Sequence, residues 1–229
     1  MKKALFPLKI LITAGPTREF IDPVRYISNP STGEIGYSLA RYAFNKGHKV
    51  MLLSGPTHLK SIKGIKTIYF ETALELKKEV DTYFKWADCL ICSAAVGDFR
   101  VSRASAGKIK KKDGMNSLCF KKNPDILLGL RNKKKGKIII GFALETDNLI
   151  ANAKDKLRAK KLDLIVANEL STSNMPFGNK KITAFILSKE KIDKYTMVKK
   201  DKLARIILDR AENLCYSLKN KKEAERDKT

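Results

Sequence analysis

The sequence predicts an α/β fold: a mainly parallel sheet with helices on both faces, Rossmann-like in its three α/β/α layers, followed by a C-terminal β-hairpin. Three observations support this. Short apolar runs bounded by turn residues alternate with stretches of helical period, the pattern of strand–helix–strand crossovers in a parallel sheet. Near the end, the alternation gives way to two apolar runs joined by a short charged turn, an antiparallel arrangement. The chain has 229 residues, 43% hydrophobic and 31% charged. That is enough for one substantial core without disulfide or metal staples, and it is unlike a disordered chain.

Residues 8–14 read as the first strand. Residues 36–46 repeat apolar side chains at Leu39, Ala40, Ala43 and Phe44, one face of a helix, and Gly47 is placed to stop it. Residues 49–53 are a second strand ending at Ser54-Gly55-Pro56, and residues 66–70 a short third. Thr72 caps a helix over residues 72–86, with Glu75 completing a capping box. Residues 87–95 are the fourth strand, 137–143 the fifth, 148–161 a helix and 162–167 the sixth strand. Residues 182–188 and 194–198 form the hairpin. A final amphipathic helix covers residues 201–218, with Leu203, Ile206, Ile207 and Leu214 on one side. A single domain therefore spans residues 1–218, and the almost wholly charged residues 219–229 read as a disordered tail. The least regular stretch is residues 96–123, which holds Lys108-Ile109-Lys110-Lys111-Lys112. Such a segment in a compact domain is a functional flap or a disordered piece.

The formal net charge is +23, carried by 37 Lys against 10 Arg. A surface of that sign attracts polyanions such as nucleic acid, anionic membrane or phosphorylated ligands. Arginine is the preferred fork for bases and phosphates, however, and a lysine-rich composition produces the same excess without a function. No RNP motif, zinc finger or aromatic–basic interleave supports a nucleic-acid-binding protein. No run approaches the ~18 apolar residues of a membrane span. The start, MKKALFPLKILITAG, lacks a small-x-small cleavage site and continues into a strand, so the N-terminus reads as folded and the protein as cytoplasmic. Cys89 and Cys92 form a C-x-x-C inside a buried strand. Side chains three apart on a strand point to opposite faces, which favours core packing over a shared metal, and the chain has only 2 His to complete a zinc site.

After the first strand come Gly15-Pro16-Thr17-Arg18-Glu19, and the next helix opens on Ser31-Thr32-Gly33-Glu34-Ile35-Gly36. Phosphates bind at helix N-termini at the carboxyl ends of such strands. Gly33 and Gly36 would admit one, though a glycine pair also serves tight helix–strand packing. The dinucleotide fingerprint fails, because the loop between Gly15 and Gly33 is too long and the second strand ends in Leu53-Ser54-Gly55 with no acid. That disfavours an NAD(P) oxidoreductase. The Walker pattern does not occur either.

The motifs ITAGPTRE, DPVRYISNPSTGEIG, SAAVGDFR, KIKK, NPDIL, GFALET and KKLDLIVAN follow in that order. Together they closely resemble the phosphopantothenoylcysteine synthetase family, the phosphopantothenate–cysteine ligases of coenzyme A biosynthesis, over residues 9–218. In many bacteria this domain follows a flavin-dependent decarboxylase domain. The first strand begins within ten residues of Met1, so the expectation here is a monofunctional synthetase or an excised half, without flavin. The resemblance implies two half-reactions. The carboxylate of 4′-phosphopantothenate attacks the α-phosphate of a nucleoside triphosphate and releases pyrophosphate. The amine of L-cysteine then attacks the acyl-nucleotide, giving the amide and the nucleoside monophosphate. Mg²⁺ is the implied cofactor, a homodimer the implied assembly and a separate decarboxylase a possible partner, with no membrane or nucleic acid involved. The hairpin at residues 182–198 offers an exposed edge for the dimer contact.

The resemblance also assigns residues. Asn29 matches the asparagine linked to turnover of the acyl-nucleotide; unaided, it reads as an Asx turn before Pro30. Ser31, Gly33 and Gly36 are expected to hold nucleotide phosphates, with Gly15 and Thr17 lining the same crevice. Lys108 matches the first lysine of K-x-K-K, a nucleotide-contacting and catalytic group; its neighbours Lys110, Lys111 and Lys112 also fit a solvated charge run. Asp98 matches a nucleotide contact, Cys92, Ser93 and Ala94 supply nearby backbone, and Ala95 and Asp98 border the pantothenate moiety. Pro124, Asp125, Ile126 and Leu127 match the stretch around the base, and Phe142 packs on base or ribose, although alone it reads as core. Lys156 and Lys160 match further nucleotide-contacting lysines, one helix turn apart. Asn168 is a weaker candidate for phosphate contact. The metal ligands are left unassigned. The set Asp98, Lys108, Phe142, Lys156 and Lys160 fits the CTP-using type, with ATP as the alternative nucleotide.

Overall fold

A computed structural model describes residues 6–111, 117–170 and 181–226. Lys112 and residues 227–229 lie outside them. In chain order the elements are β1 (Lys9–Ala14), β2 (Arg18–Phe20), β3 (Tyr26–Ser28), α1 (Glu34–Asn45), β4 (Lys49–Ser54), β5 (Lys66–Tyr69), α2 (Ala73–Tyr83), β6 (Cys89–Cys92), β7 (Phe99–Val101), β8 (Phe120–Lys122), α3 (Ile126–Leu130), β9 (Ile138–Glu145), α4 (Leu149–Ala159), β10 (Leu164–Glu169), β11 (Ile182–Leu187), β12 (Ile192–Val198) and α5 (Lys200–Arg226).

The apolar runs become the strands of one sheet because a strand covered on both faces needs apolar side chains at every position. Its described order is β12-β11-β10-β9-β6-β1-β4-β5, parallel from β10 to β5, with β11 and β12 antiparallel. Alternate residues serve opposite faces. Ile10, Ile12, Ile91, Ile140 and Val166 pack beneath α1 and α5, whereas Leu11, Leu90, Ile139 and Ile165 pack beneath α2, α3 and α4. The expected three-layer α/β/α architecture is what forms. Thr72 and Glu75 complete the expected capping box at the start of α2, a motif whose loss typically costs ~1 kcal/mol. Cys89 and Cys92 fall on opposite faces, as strand geometry requires.

Two departures from expectation bear on the site. The irregular segments hold two small antiparallel sheets, β2–β3 and β7–β8. In addition, α5 runs past residue 218 to Arg226, because lysine and glutamate are good helix formers and charge alone does not end a helix. α5 is tied down by a buried polar network. The Nδ1 of His48 accepts the Leu8 amide at 3.1 Å, so its Nε2 carries the proton and donates to Glu212 Oε1 at 2.6 Å. Glu212 Oε2 accepts from Lys46 at 2.5 Å.

Candidate functional site

The carboxyl ends of β1, β6, β9 and β10 open into a cleft of about 530 Å³, the place where open α/β sheets bind ligands. On the α1 side, the helix begins at Gly33, whose left-handed backbone (φ 78°) leaves no side chain to cap the first turn. The first N–H groups of a helix have no intrahelical partners. Here Glu34, Ile35 and Gly36 line the cleft together with Ser31, a position in which such groups can receive an anion. Ser93 supports this wall: its Oγ donates to Thr13 O at 2.6 Å, and Thr13 Oγ1 accepts the Ala94 amide at 3.1 Å.

On the opposite side stand Cys92, Ala94, Pro124, Asp125, Ile126, Leu127, Lys156 and Lys160. Asp125 has two duties: Oδ1 caps α3 by accepting the Leu128 amide at 2.9 Å, and Oδ2 pairs with Lys160 Nζ at 2.8 Å. Lys156 pairs with Glu145. Burial pushes the Cys92 thiol up to about 12, so it is neutral near neutral pH and is no nucleophile. Phe142 projects from β9 on the α1 side and is half-buried.

Between the two walls, Asn29 Nδ2 donates to Ala95 O at 3.3 Å and Val96 O at 3.2 Å. Its Oδ1 is the atom left for a ligand. Asp98 also lines the cleft, and its carboxylate has no hydrogen bond or ion pair among the described residues. The loop is stapled by Asn123, which donates to Gly97 O at 2.8 Å and accepts from Arg100 at 2.9 Å. Mg²⁺ is usually held by one or two carboxylates together with ligand oxygens; Asp98 is the lining residue that would meet such an ion.

Three expected residues lie elsewhere. Gly15 and Thr17 do not line the cleft but hold its floor: Gly15 O accepts the Ala95 amide at 2.9 Å, and Thr17 Oγ1 accepts the Gly97 amide at 2.9 Å. Lys108 lines a second concavity of about 650 Å³ with Arg25, Ile109, Lys110 and Lys111. Conversely, Lys200 and Glu34, paired at 2.7 Å, line the cleft without having been singled out in the sequence. Asn168 does line it. It is only 7% exposed, and its Oδ1 has no partner among the described residues. That acceptor suits an N–H or O–H donor of a ligand rather than an ionised phosphate.

Among the described residues no cluster of His, Cys, Asp and Glu could hold a metal by itself, and no helix is long and apolar enough to cross a membrane.

A family model described as the DNA/pantothenate metabolism flavoprotein C-terminal domain matches residues 5–214. The coenzyme A biosynthesis bifunctional protein CoaBC of Borreliella burgdorferi is 42% identical over 204 residues, covering 87% of this chain and 51% of that protein. The CoaBC of Bacillus subtilis is 44% identical over 170 residues, covering 74% of this chain and 42% of that protein. This chain thus spans about half the length of those relatives. A crystal structure of the C-terminal domain of CoaBC superposes with a TM-score of 0.80 at 34% identity, covering 94% of this chain and 100% of that one.

Proposed function

This chain belongs to the DNA/pantothenate metabolism flavoprotein C-terminal domain family, and from that premise we propose that it is a CTP-dependent ligase joining 4′-phosphopantothenate to L-cysteine in coenzyme A biosynthesis. One observation carries the reading: motifs from Asn29 to Lys160, far apart in sequence, meet in one cleft whose chemistry suits two polyanionic ligands. The uncapped start of α1 offers N–H donors and the positive end of the helix dipole to phosphates. Lys156 and Lys160 add charge from the far wall, each held in place by a carboxylate.

In the first half-reaction the substrate carboxylate attacks the α-phosphorus and the bond to the β,γ-diphosphate breaks, releasing pyrophosphate. In the second, the cysteine amine attacks the acyl carbon, the bond to CMP breaks and the amine proton leaves. The neutral Cys92 thiol takes no part in acyl transfer. Asn29, its Nδ2 held by Ala95 O and Val96 O, presents Oδ1 as an acceptor that orients an N–H donor such as the attacking cysteine amine, as a fixed amide can do without titrating. Mg²⁺ bound with the nucleotide supplies neutralisation of phosphate charge. Ile126 and Leu127 on one wall and Phe142 on the other offer the apolar surfaces for base and ribose, with Asp98 and Ala95 beside the pantothenate moiety. Lys108, which lines the second concavity rather than the cleft, is assigned to the nucleotide on its motif alone.

The test is pyrophosphate release from 4′-phosphopantothenate with CTP and with ATP, followed by amide formation on adding cysteine. Faster turnover with CTP is expected; faster turnover with ATP overturns the nucleotide choice, and no release with either overturns the ligase reading. A homodimer is part of the same proposal, with the open edge of β12 at the end of the sheet as its contact. Sedimentation velocity should show a species of twice the chain mass, and a purely monomeric chain at micromolar concentration would count against it.

A further inference from the structure

The segment that carries Lys108 is fastened to the body of the domain at one buried carboxylate. Asp22, in the turn between β2 and β3, is 1% exposed. Its Oδ1 accepts the amides of Val24 at 2.9 Å and Arg25 at 2.8 Å. Its Oδ2 accepts from Arg25 Nε at 3.0 Å, from Arg25 Nη2, and from the Ile109 amide at 3.2 Å. The same Arg25 Nη2 donates to Ile109 O at 3.0 Å. Ile109 is therefore gripped at both its N–H and its C=O by one ion pair from a turn far away in sequence. A second tie lies just before it, where the Ser105 amide donates to Ile21 O at 2.9 Å.

The grip sits beside a cluster of like charges. The concavity beside it is lined by Arg25, Lys108, Lys110 and Lys111, with Ile109 between them. Like charges lining one concavity repel one another. Asp22 supplies the negative charge paired with Arg25, whose guanidinium holds the carboxyl well below the usual carboxylate range, so the anion persists throughout the neutral range.

We propose that Asp22 is a positioning residue for the ligase reaction: its buried carboxylate, acting with Arg25 on Ile109, seats the lysine segment and so places Lys108. This rests on the reading above that Lys108 serves the nucleotide. The geometry separates two kinds of lysine in one run. Lys108 is the residue directly before the gripped peptide, whereas Lys110 and Lys111 follow it.

The experiment uses the full chain and Asp22→Asn. The amide keeps one acceptor for the turn but sets a donor against Arg25 and the Ile109 amide. Brief native digestion with trypsin, read by mass spectrometry, should show cleavage after Lys108, Lys110 and Lys111 rising about tenfold, the scale expected for losing a hydrogen bond to a charged group. Cleavage elsewhere should be unchanged. Wild-type rates at these lysines in a folded Asp22→Asn variant overturn the seat. Should that variant not fold, hydrogen exchange of the Ile109 amide in the unaltered chain decides instead, with protection supporting the grip and exchange at the rate of a free loop refuting it. Ligase kinetics then test the link to Lys108. With Lys108→Ala as background, adding Asp22→Asn should cost no further kcat/KM, whereas an additive loss refutes action through Lys108. A chain without ligase activity defeats the functional reading alone, since the proteolysis and exchange results still report on the seat.

Discussion

Asn29→Asp is expected to reduce overall ligase turnover by a factor of about 100 or more, the scale of removing one preorganised polar group from an acyl-transfer site. The asparagine is held by donating from Nδ2 to Ala95 O and Val96 O at 3.3 and 3.2 Å. Aspartate has no donor to offer there. Its carboxylate would face two carbonyl oxygens and swing away, removing the oriented oxygen from the cleft. It would also bring a second unpaired carboxylate, beside Asp98, to a cleft that offers anions the α1 N-terminus, Lys156 and Lys160. The second half-reaction should suffer most, so pyrophosphate release without cysteine should continue while amide formation slows. Asn29→Ala separates the two causes. It removes the oxygen without adding charge, and its loss should be the smaller. Near-normal turnover in Asn29→Asp would refute the assigned role; equal losses in both variants would remove charge repulsion from the explanation.

The parallel strands were legible because a doubly covered strand is written as a continuous apolar run, and β1, β4, β6, β9 and β10 all are. β2, β3, β7 and β8 were not, because three residues carry too little pattern to distinguish a strand from a loop. Those short sheets also explain where motif reading stopped. The resemblance implied that Gly15 and Thr17 line the crevice, but the chain folds back through β2 and β3, and both residues are hydrogen-bonded to the Ala95–Gly97 loop. The K-x-K-K run could be matched to a family motif from its letters. Its fastening could not, because the Asp22–Ile109 contact joins distant residues through a backbone amide, which no letter encodes. Lys200 gave no signal for the same reason: its partner Glu34 lies across the chain, and only packing of α5 against α1 brings them to the cleft. Asn168 did leave a trace, a polar residue at the site-bearing end of an apolar strand. Its phosphate role was inferred from position, whereas the orphaned atom is an acceptor.

The pair Gly33 and Gly36 stood open between phosphate approach and helix packing, and the structure makes the choice at Gly36 measurable. A Cβ there would lie 2.5 Å from Ala14 Cβ, 2.7 Å from Ser93 Oγ and 3.1 Å from Ala14 Cα. None of these is the loose end of a long side chain: Ala14 is fixed in β1, and Ser93 Oγ is bound to Thr13 O. For Gly36→Ala two effects compete. Alanine in a helix interior gains roughly 0.5–1 kcal/mol over glycine, whereas forcing a methyl into a filled contact costs typically ~1–3 kcal/mol and occasionally more. At separations this far inside van der Waals contact the steric cost wins, and α1 must lift off the sheet. The melting temperature should fall by ~2–4 °C for each net kcal/mol lost, given the chain's size. Binding should fall further than stability, because the start of α1 moves with the helix, and a ~1 Å misplacement of positioning groups can cost ~100-fold. Gly129→Ala is the matched control. That glycine lies in α3 with nothing within 4 Å of a built Cβ, so only the propensity gain applies, and its melting temperature should hold or rise. Thermal melts with nucleotide titration by calorimetry separate the two variants. If Gly36→Ala melts as high as Gly129→Ala and binds nucleotide normally, α1 does not depend on this contact, and its N-terminus is not positioned by it.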